Sequence, residues 1–320
     1  MTGTMKLFEP LSLRPLYAGF SGLLANGLNP SKVEELLGAD PFVRLRAGAP
    51  FAFVARTYDK GSWVYRFRAD LGEGEQLYYV KVVREKEVWQ VMLGRMFSSQ
   101  GLKRPFHYPK KFIRMLFAPS EAAISWQVAQ FLHQHDIATP EFVALVARRA
   151  AGFREEYLIS RAVPRLPNAN FKKYLVQNFG PSAPPYDLQA KRRLILELAR
   201  FLRRLLELPI HFPDLKLHNI LLQEPEPGKF RFLIMDLNEV SEKKPKQEEV
   251  IILDRFNRSI PFTDVITQTD RLRFLKAYLA AGKDSRDWRE LAQAITRRGR
   301  VHLKPHKPFA PLGAKGPDSG

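Results

Sequence analysis

The chain has 320 residues, 45% of them apolar, and carries 51 Lys and Arg against 33 Asp and Glu, a formal net charge of +18. That much apolar material fits one large domain or two lobes and excludes a chain disordered throughout, while the charge points to polyanionic partners: nucleotide phosphates, acidic lipid surfaces or nucleic acid. With no cysteine, disulfide frameworks, thiolate zinc sites and cysteine nucleophiles are excluded, and the composition suits a reducing compartment. The first 15 residues lack a basic start followed by an apolar run, and no stretch approaches the ~18 to 20 apolar residues of a bilayer crossing, so the sequence reads as soluble or peripheral.

Residues 1–50 are mixed in composition and read as an N-terminal flank, with Ser31 placed to cap a short helix from Lys32 to Leu37. From Phe51 the pattern turns to short aromatic and β-branched runs, Phe51-Ala-Phe-Val54, Trp63-Val-Tyr-Arg-Phe67 and Leu77-Tyr-Tyr-Val-Lys-Val-Val83, which predict a three-stranded antiparallel meander. Residues 88–120 contain no acidic side chain. Arg95, Lys103, Arg104, Lys110, Lys111 and Arg114 stand there beside Trp89, Phe97, Phe106, Tyr108, Phe112 and Phe117. This basic insertion reads either as a membrane-interface segment meeting anionic headgroups, the reading favoured here, or as a solvated insertion packed on the small lobe. Its mix of aromatic and cationic residues also resembles a single-strand nucleic-acid groove, but no RNP-like or helix-turn-helix pattern accompanies it, which argues against nucleic acid.

Residues 121–135 predict an amphipathic helix with Ile124, Val128, Phe131 and Leu132 on one face, followed by strands at Phe142–Val146 and Glu156–Ser160. The run Pro164-Arg-Leu-Pro-Asn168 marks the expected boundary between a small lobe, 51–163, and a large lobe, 164–298. Residues 188–208 carry Leu194, Leu198, Phe201, Leu202, Leu205 and Leu206 at helical spacing, with arginines elsewhere on the surface. Two short strands, Ile220–Leu222 and Phe230–Met235, and helices over 269–281 and 285–298 complete the lobe. The Pro-, Gly- and Lys-rich residues 299–320 read as a basic, disordered tail.

The chemistry concentrates in His211-Phe-Pro-Asp-Leu-Lys-Leu-His-Asn-Ile-Leu-Leu222 and Leu233-Ile-Met-Asp-Leu-Asn238. Asp214, Lys216 and Asn219 fall in a loop before one strand, and Asp236 ends the next, 22 residues after Asp214. Phosphoryl transfer needs these types: one carboxylate to accept the acceptor hydroxyl's proton, and a second carboxylate with an amide oxygen to hold Mg²⁺ against nucleotide phosphates. A lysine two positions beyond the base can offset charge developing on the transferred group. Asp and Asn also close ordinary loops, but turn chemistry does not account for a triplet of fixed types at fixed offsets followed by an apolar strand that ends in a second Asp.

This segment resembles the catalytic loop of the protein-kinase superfamily, with Asp236 in the place of the aspartate of the Asp-Phe-Gly motif. The five-residue step from Asp214 to Asn219 is kept. The departures are His211 three rather than two residues before Asp214, Pro213 for Arg, and Leu237-Asn238 for Phe-Gly. Together with Pro119-Ser-Glu-Ala-Ala-Ile-Ser-Trp126, Ile137-Ala-Thr-Pro140 and Arg255-Phe-Asn-Arg-Ser259, the pattern resembles the lipopolysaccharide core kinases of the heptose and Kdo kinase group over residues 51–281.

The resemblance implies a bilobal α+β protein-kinase-like fold, a β-rich small lobe over a mainly helical large one, with ATP and Mg²⁺ between them. It implies a bacterial sugar kinase acting on lipopolysaccharide core, or another anionic lipid-linked sugar, at the cytoplasmic face of the inner membrane. Lys81 then becomes the candidate for the α- and β-phosphates, Gly61 and Ser62 for a loop over the phosphates, and Glu121 for the ion-pair partner of Lys81. A lone strand lysine, a hairpin turn and a helix-dipole glutamate explain the same three features without function. Arg255 and Arg258 could clamp an acidic sugar or hold the preceding loop together, and the histidines lack metal-ligand spacing. A small-molecule kinase of the aminoglycoside or choline type, and a non-catalytic pseudokinase docking on anionic surfaces, are the rival readings.

Overall fold

A computed structural model of the protein describes residues 11–17, 19–57, 62–85, 120–150, 153–163, 171–181, 183, 187–226, 229–242, 244, 247–260, 265–282 and 286–302. Gly61, nearly all of the basic insertion, the expected lobe boundary at 164–168 and the tail beyond residue 302 lie outside them.

The small lobe is a seven-stranded antiparallel sheet. Strands β3 (Ala52–Thr57), β4 (Ser62–Asp70) and β5 (Glu75–Arg84) form the expected meander, with Val64 opposite Lys81. β5 then pairs with β7 (Phe153–Arg161), which pairs with β6 (Phe142–Ala150). The N-terminal segment departs from its reading as a flank. Its hairpin, β1 (Arg14–Tyr17) and β2 (Phe20–Leu24), extends the sheet along β6, giving the order β1-β2-β6-β7-β5-β4-β3. Strands this short leave no alternation long enough to read.

Helices α1 (Pro30–Leu37) and α2 (Pro41–Arg46) follow. α1 is capped by Asn29, whose side chain accepts from Ser31 N at 3.0 Å, so Ser31 supplies its backbone and not the cap. The two helices lay Leu36, Leu37, Phe42 and Leu45 against Tyr78, Val80 and Val82 of β5. By the two-residue period of a strand, Tyr79, Lys81 and Val83 face the other way. Helix α3 (Glu121–Gln134), capped by Ser120, covers part of that second face through Ala122 and Trp126 against Leu145 and Leu158.

The large lobe is mainly helical: α4 (Phe171–Phe179), α5 (Leu188–Glu207), α6 (Glu248–Ser259), α7 (Gln268–Ala280) and α8 (Trp288–His302), with one hairpin, β8 (Ile220–Glu226) and β9 (Lys229–Ile234). α5 buries the stripe Leu194, Leu198, Leu202 and Leu205 at the centre of one apolar cluster shared with α3, α6 and the hairpin. α6 is not legible in the sequence as a helix. Its cap is Gln247, held at φ 58° with no side-chain capping bond, so the usual start signal is missing. α8 runs on to His302, taking in residues 299–302 that the composition assigns to the tail.

Candidate active site

The hairpin β8–β9 explains why two sequence segments 22 residues apart meet. Ile220 pairs with Ile234, so the loop that precedes β8 and the turn that follows β9 lie at one end of the same ribbon, tied by Met235 N donating to Asn219 O at 2.8 Å. Asp214, Asn219 and Asp236 consequently line one small pocket with Phe212 and Met235.

Within it, Asn219 sits in a 3₁₀ turn, Leu217–Asn219, and is buried. Its Nδ2 donates to the backbone carbonyl of Asp214 at 2.8 Å and to Oδ2 at 3.3 Å. With its nitrogen committed, the same amide presents its oxygen elsewhere. Lys216 Nζ forms an ion pair with Asp214 Oδ1. Asp236 lies in the left-handed region, φ 57° and ψ 58°, where Asp is among the few tolerated non-glycine residues.

The loop is braced from outside by α6. Arg255 Nη1 donates to the carbonyl of Pro213. Ser259 Oγ accepts from Leu217 N at 3.0 Å while donating to Phe256 O at 2.7 Å. Arg258 pairs with buried Asp254 at 2.8 Å. Of the two readings of these arginines, the contacts show Arg255 holding the loop and Arg258 paired with Asp254. His211 pairs with Ser241 through both backbone groups and meets Glu248 Oε1 with Nδ1 at 2.8 Å, anchoring the start of the loop.

From the sheet, Lys81 reaches the site: Nζ is 3.8 Å from Asp236 Oδ1. Glu121 does not take the expected place beside Lys81. Its Oε2 accepts from Asn238 Nδ2 at 2.7 Å, because the first turn of α3 packs on the 3₁₀ turn Leu237–Glu239. Behind it, Glu156 on β7 is buried, and burial pushes its carboxyl up against the opposing hydrogen bond from Ser120. Ser62 opens β4 opposite Val83 and is buried. On the same face as Lys81, Arg66, Leu77 and Tyr79 line an open pocket with Arg161, Ala162 and Val163.

Among the described residues no group of three or more His, Cys, Asp or Glu could hold a metal ion. His133 bonds Thr139, His135 meets the Phe131 carbonyl, and His218 is exposed. The donors at the site are therefore two carboxylates and one amide, a hard-oxygen set suited to Mg²⁺ and unsuited to Zn²⁺. Asn238 and Ser259 contribute to the site without being singled out by the sequence. Asn238 stands next to Leu237 in the quoted motif, and its place as a departure from Phe-Gly was the one signal available for it.

The strand order β3-β4-β5-β7-β6 over a helical lobe, with a lysine on the third strand facing a loop and turn at the end of a hairpin, defines a protein-kinase-like fold. Residues 107–278 match the model of the Lipopolysaccharide kinase (Kdo/WaaP) family, and the chain belongs to that family. Among solved structures it is similar to "WaaP in complex with acyl carrier protein", with a TM-score of 0.53 and 19% identity over 88% of this chain and 98% of that one. No curated protein matches. Kinase, transferase and lipopolysaccharide biosynthesis are thereby the class to which the chain belongs.

Proposed function

We propose that the protein is an ATP- and Mg²⁺-dependent kinase that phosphorylates a heptose or Kdo hydroxyl of the lipopolysaccharide inner core. The observation that carries the reading is the convergence of Asp214, Asn219 and Asp236 on one pocket, with Lys81 3.8 Å from Asp236. Asp214 would accept the proton of the sugar hydroxyl as its oxygen bonds to the γ-phosphorus and the bond to ADP breaks. Lys81 would orient the α- and β-phosphates, and Lys216, already beside Asp214, would meet the charge on the transferred group. Asn219 and Asp236 would hold the metal, which supplies charge neutralisation at the phosphates when bound. The pocket formed by Tyr79, Leu77, Ala162 and Val163 suits the nucleobase. Most of the rate acceleration would come from positioning and electrostatics.

A net charge of +18 suits an acceptor carried on an anionic surface. No helix among the described residues is long and apolar enough to cross a membrane, and we place the protein peripherally at the cytoplasmic face of the inner membrane. The solved WaaP was captured with acyl carrier protein. An apolar pocket in the large lobe, lined by Leu194, Ile195, Leu253, Phe256, Phe274 and Ile295, gives this chain a place for an aliphatic chain, so such a carrier belongs among the partners to test.

The test is incubation of purified protein, labelled ATP and Mg²⁺ with defined inner-core acceptors, an aminoglycoside and choline, followed by location of the phosphate by mass spectrometry. Phosphate on a heptose or Kdo hydroxyl supports the proposal. Transfer to a soluble amino alcohol alone favours the small-molecule rival, and Mg²⁺-independent binding without turnover favours the pseudokinase.

A further inference from the structure

Lys81 and Asn238 each join the small lobe to the turn after β9, and their contacts run in opposite directions. Lys81 reaches from the sheet to Asp236, and two residues later Asn238 reaches from the turn to Glu121 on α3. Between them Leu237 is 2% exposed and packed in the large-lobe core. Asn238 itself is buried, and its 2.7 Å bond to Glu121 joins an amide donor to a carboxylate, a charge-assisted hydrogen bond strengthened by exclusion of water.

The turn needs such a hold. Asp236 occupies the left-handed region, which costs a non-glycine residue free energy and persists only where the surroundings enforce it. Leu237 secures one side of the turn by burial. On the other side Glu121 accepts the bond from Asn238, while Lys81 meets Asp236. The usual division of labour in this fold, with the helix glutamate on the strand lysine, is thus replaced by a crossed arrangement in which the glutamate fixes the turn directly.

We propose that Asn238 is a positioning residue: bonded to Glu121, it holds the turn so that the Asp236 carboxylate stays aimed at Lys81 and the phosphate-binding region. In this role it acts through Asp236 and not on nucleotide or acceptor directly. The inference rests on the kinase reading of Asp236 as a metal ligand, but its test does not need an identified sugar.

Mn²⁺ binding is measured by electron paramagnetic resonance in the presence of a non-hydrolysable ATP analogue for four proteins: wild type, Asn238→Asp, Glu121→Gln and the double variant. Asn238→Asp sets two carboxylates against each other and is expected to weaken Mn²⁺ binding at least about tenfold, the scale of one lost charge-assisted hydrogen bond. The double variant exchanges donor and acceptor, Gln amide to Asp carboxylate, and should recover affinity to within about threefold of wild type. A residue that merely packs would not show this recovery. Asn238→Ser, which removes the reach of the amide without adding charge, serves if Asn238→Asp fails to fold, and should weaken Mn²⁺ by a similar factor. Wild-type affinity in the folded Asn238→Asp or Asn238→Ser protein, or a folded double variant that recovers nothing, overturns the proposal. Failure of wild type to bind Mn²⁺ with the analogue overturns the kinase reading beneath it.

Discussion

Lys81 on β5 and Asp236 after β9 stand 3.8 Å apart, one from each lobe, with 27% and 41% of their side chains exposed. A pair this open to water adds little to stability, because solvent screens it. The contact is therefore a weak strut, and its openness fits the phosphate-binding role proposed for Lys81. Lys81→Met should leave the melting temperature within about 2 °C of wild type while lowering turnover about 100-fold, checked by calorimetry and initial rates.

Arg255 and Pro213 make the opposite kind of contact. The guanidinium holds a backbone carbonyl one residue before Asp214, so it braces the loop. Arg255→Ala should cost about 1 to 2 kcal/mol of stability and lower kcat about tenfold with KM for ATP little changed. Urea unfolding and steady-state kinetics separate the two effects.

On the outer face of the sheet, buried Glu155 accepts from Arg148 Nε at 2.8 Å, Arg84 Nε at 2.7 Å and the Tyr157 hydroxyl at 3.2 Å, and Arg148 also donates to Ala39 O at 2.7 Å. Burial raises the Glu155 carboxyl, but the two arginines outweigh it and leave it below its ordinary 4.5. A depressed carboxyl stabilises the fold above its unfolded value and loses that stabilisation as pH falls through the folded one. Stability should therefore fall on acidification below about pH 4.5, and Glu155→Gln should be less stable at pH 7 by about 2 to 4 kcal/mol, with a shallower acid limb in thermal unfolding against pH.

In the large lobe Lys191 on α5 and Asp270 on α7 form a buried ion pair at 2.9 Å. Burial raises the Asp270 carboxyl, and the Lys191 ammonium together with Thr267 brings it below the ordinary range. Lys191→Met removes the buried counter-ion and leaves Asp270 with the partly exposed Arg273, 2.8 Å from Oδ1, so it should cost about 2 kcal/mol in urea unfolding.

Much of this was legible because the signals are local. The aromatic and β-branched run Leu77–Val83 gives the strand that carries Lys81, and the step from Asp214 to Asn219 is fixed by one loop. The partner of Glu121 was not legible, since it depends on how the first turn of α3 packs against a turn 117 residues away. Arg255 and Ser259 were seen in a motif, but their targets, Pro213 and Leu217, lie 42 residues back along the chain and are set by the packing of α6. The β1–β2 hairpin escaped because strands of 4 and 5 residues carry too few alternating positions, and its β2 approaches β6 so closely that a Cβ on Gly22 would meet Leu145 O at 2.3 Å.

The most direct test of the central claim is the transfer of ³²P from γ-labelled ATP to inner-core lipopolysaccharide by wild type and by Asp214→Ala, with nucleotide binding and thermal unfolding measured on both. The account predicts Mg²⁺-dependent labelling by wild type and at least about a thousandfold less by the variant, which still folds and binds ATP because the side chain stands in a polar, partly exposed loop. Labelling by Asp214→Ala at the wild-type rate would contradict it.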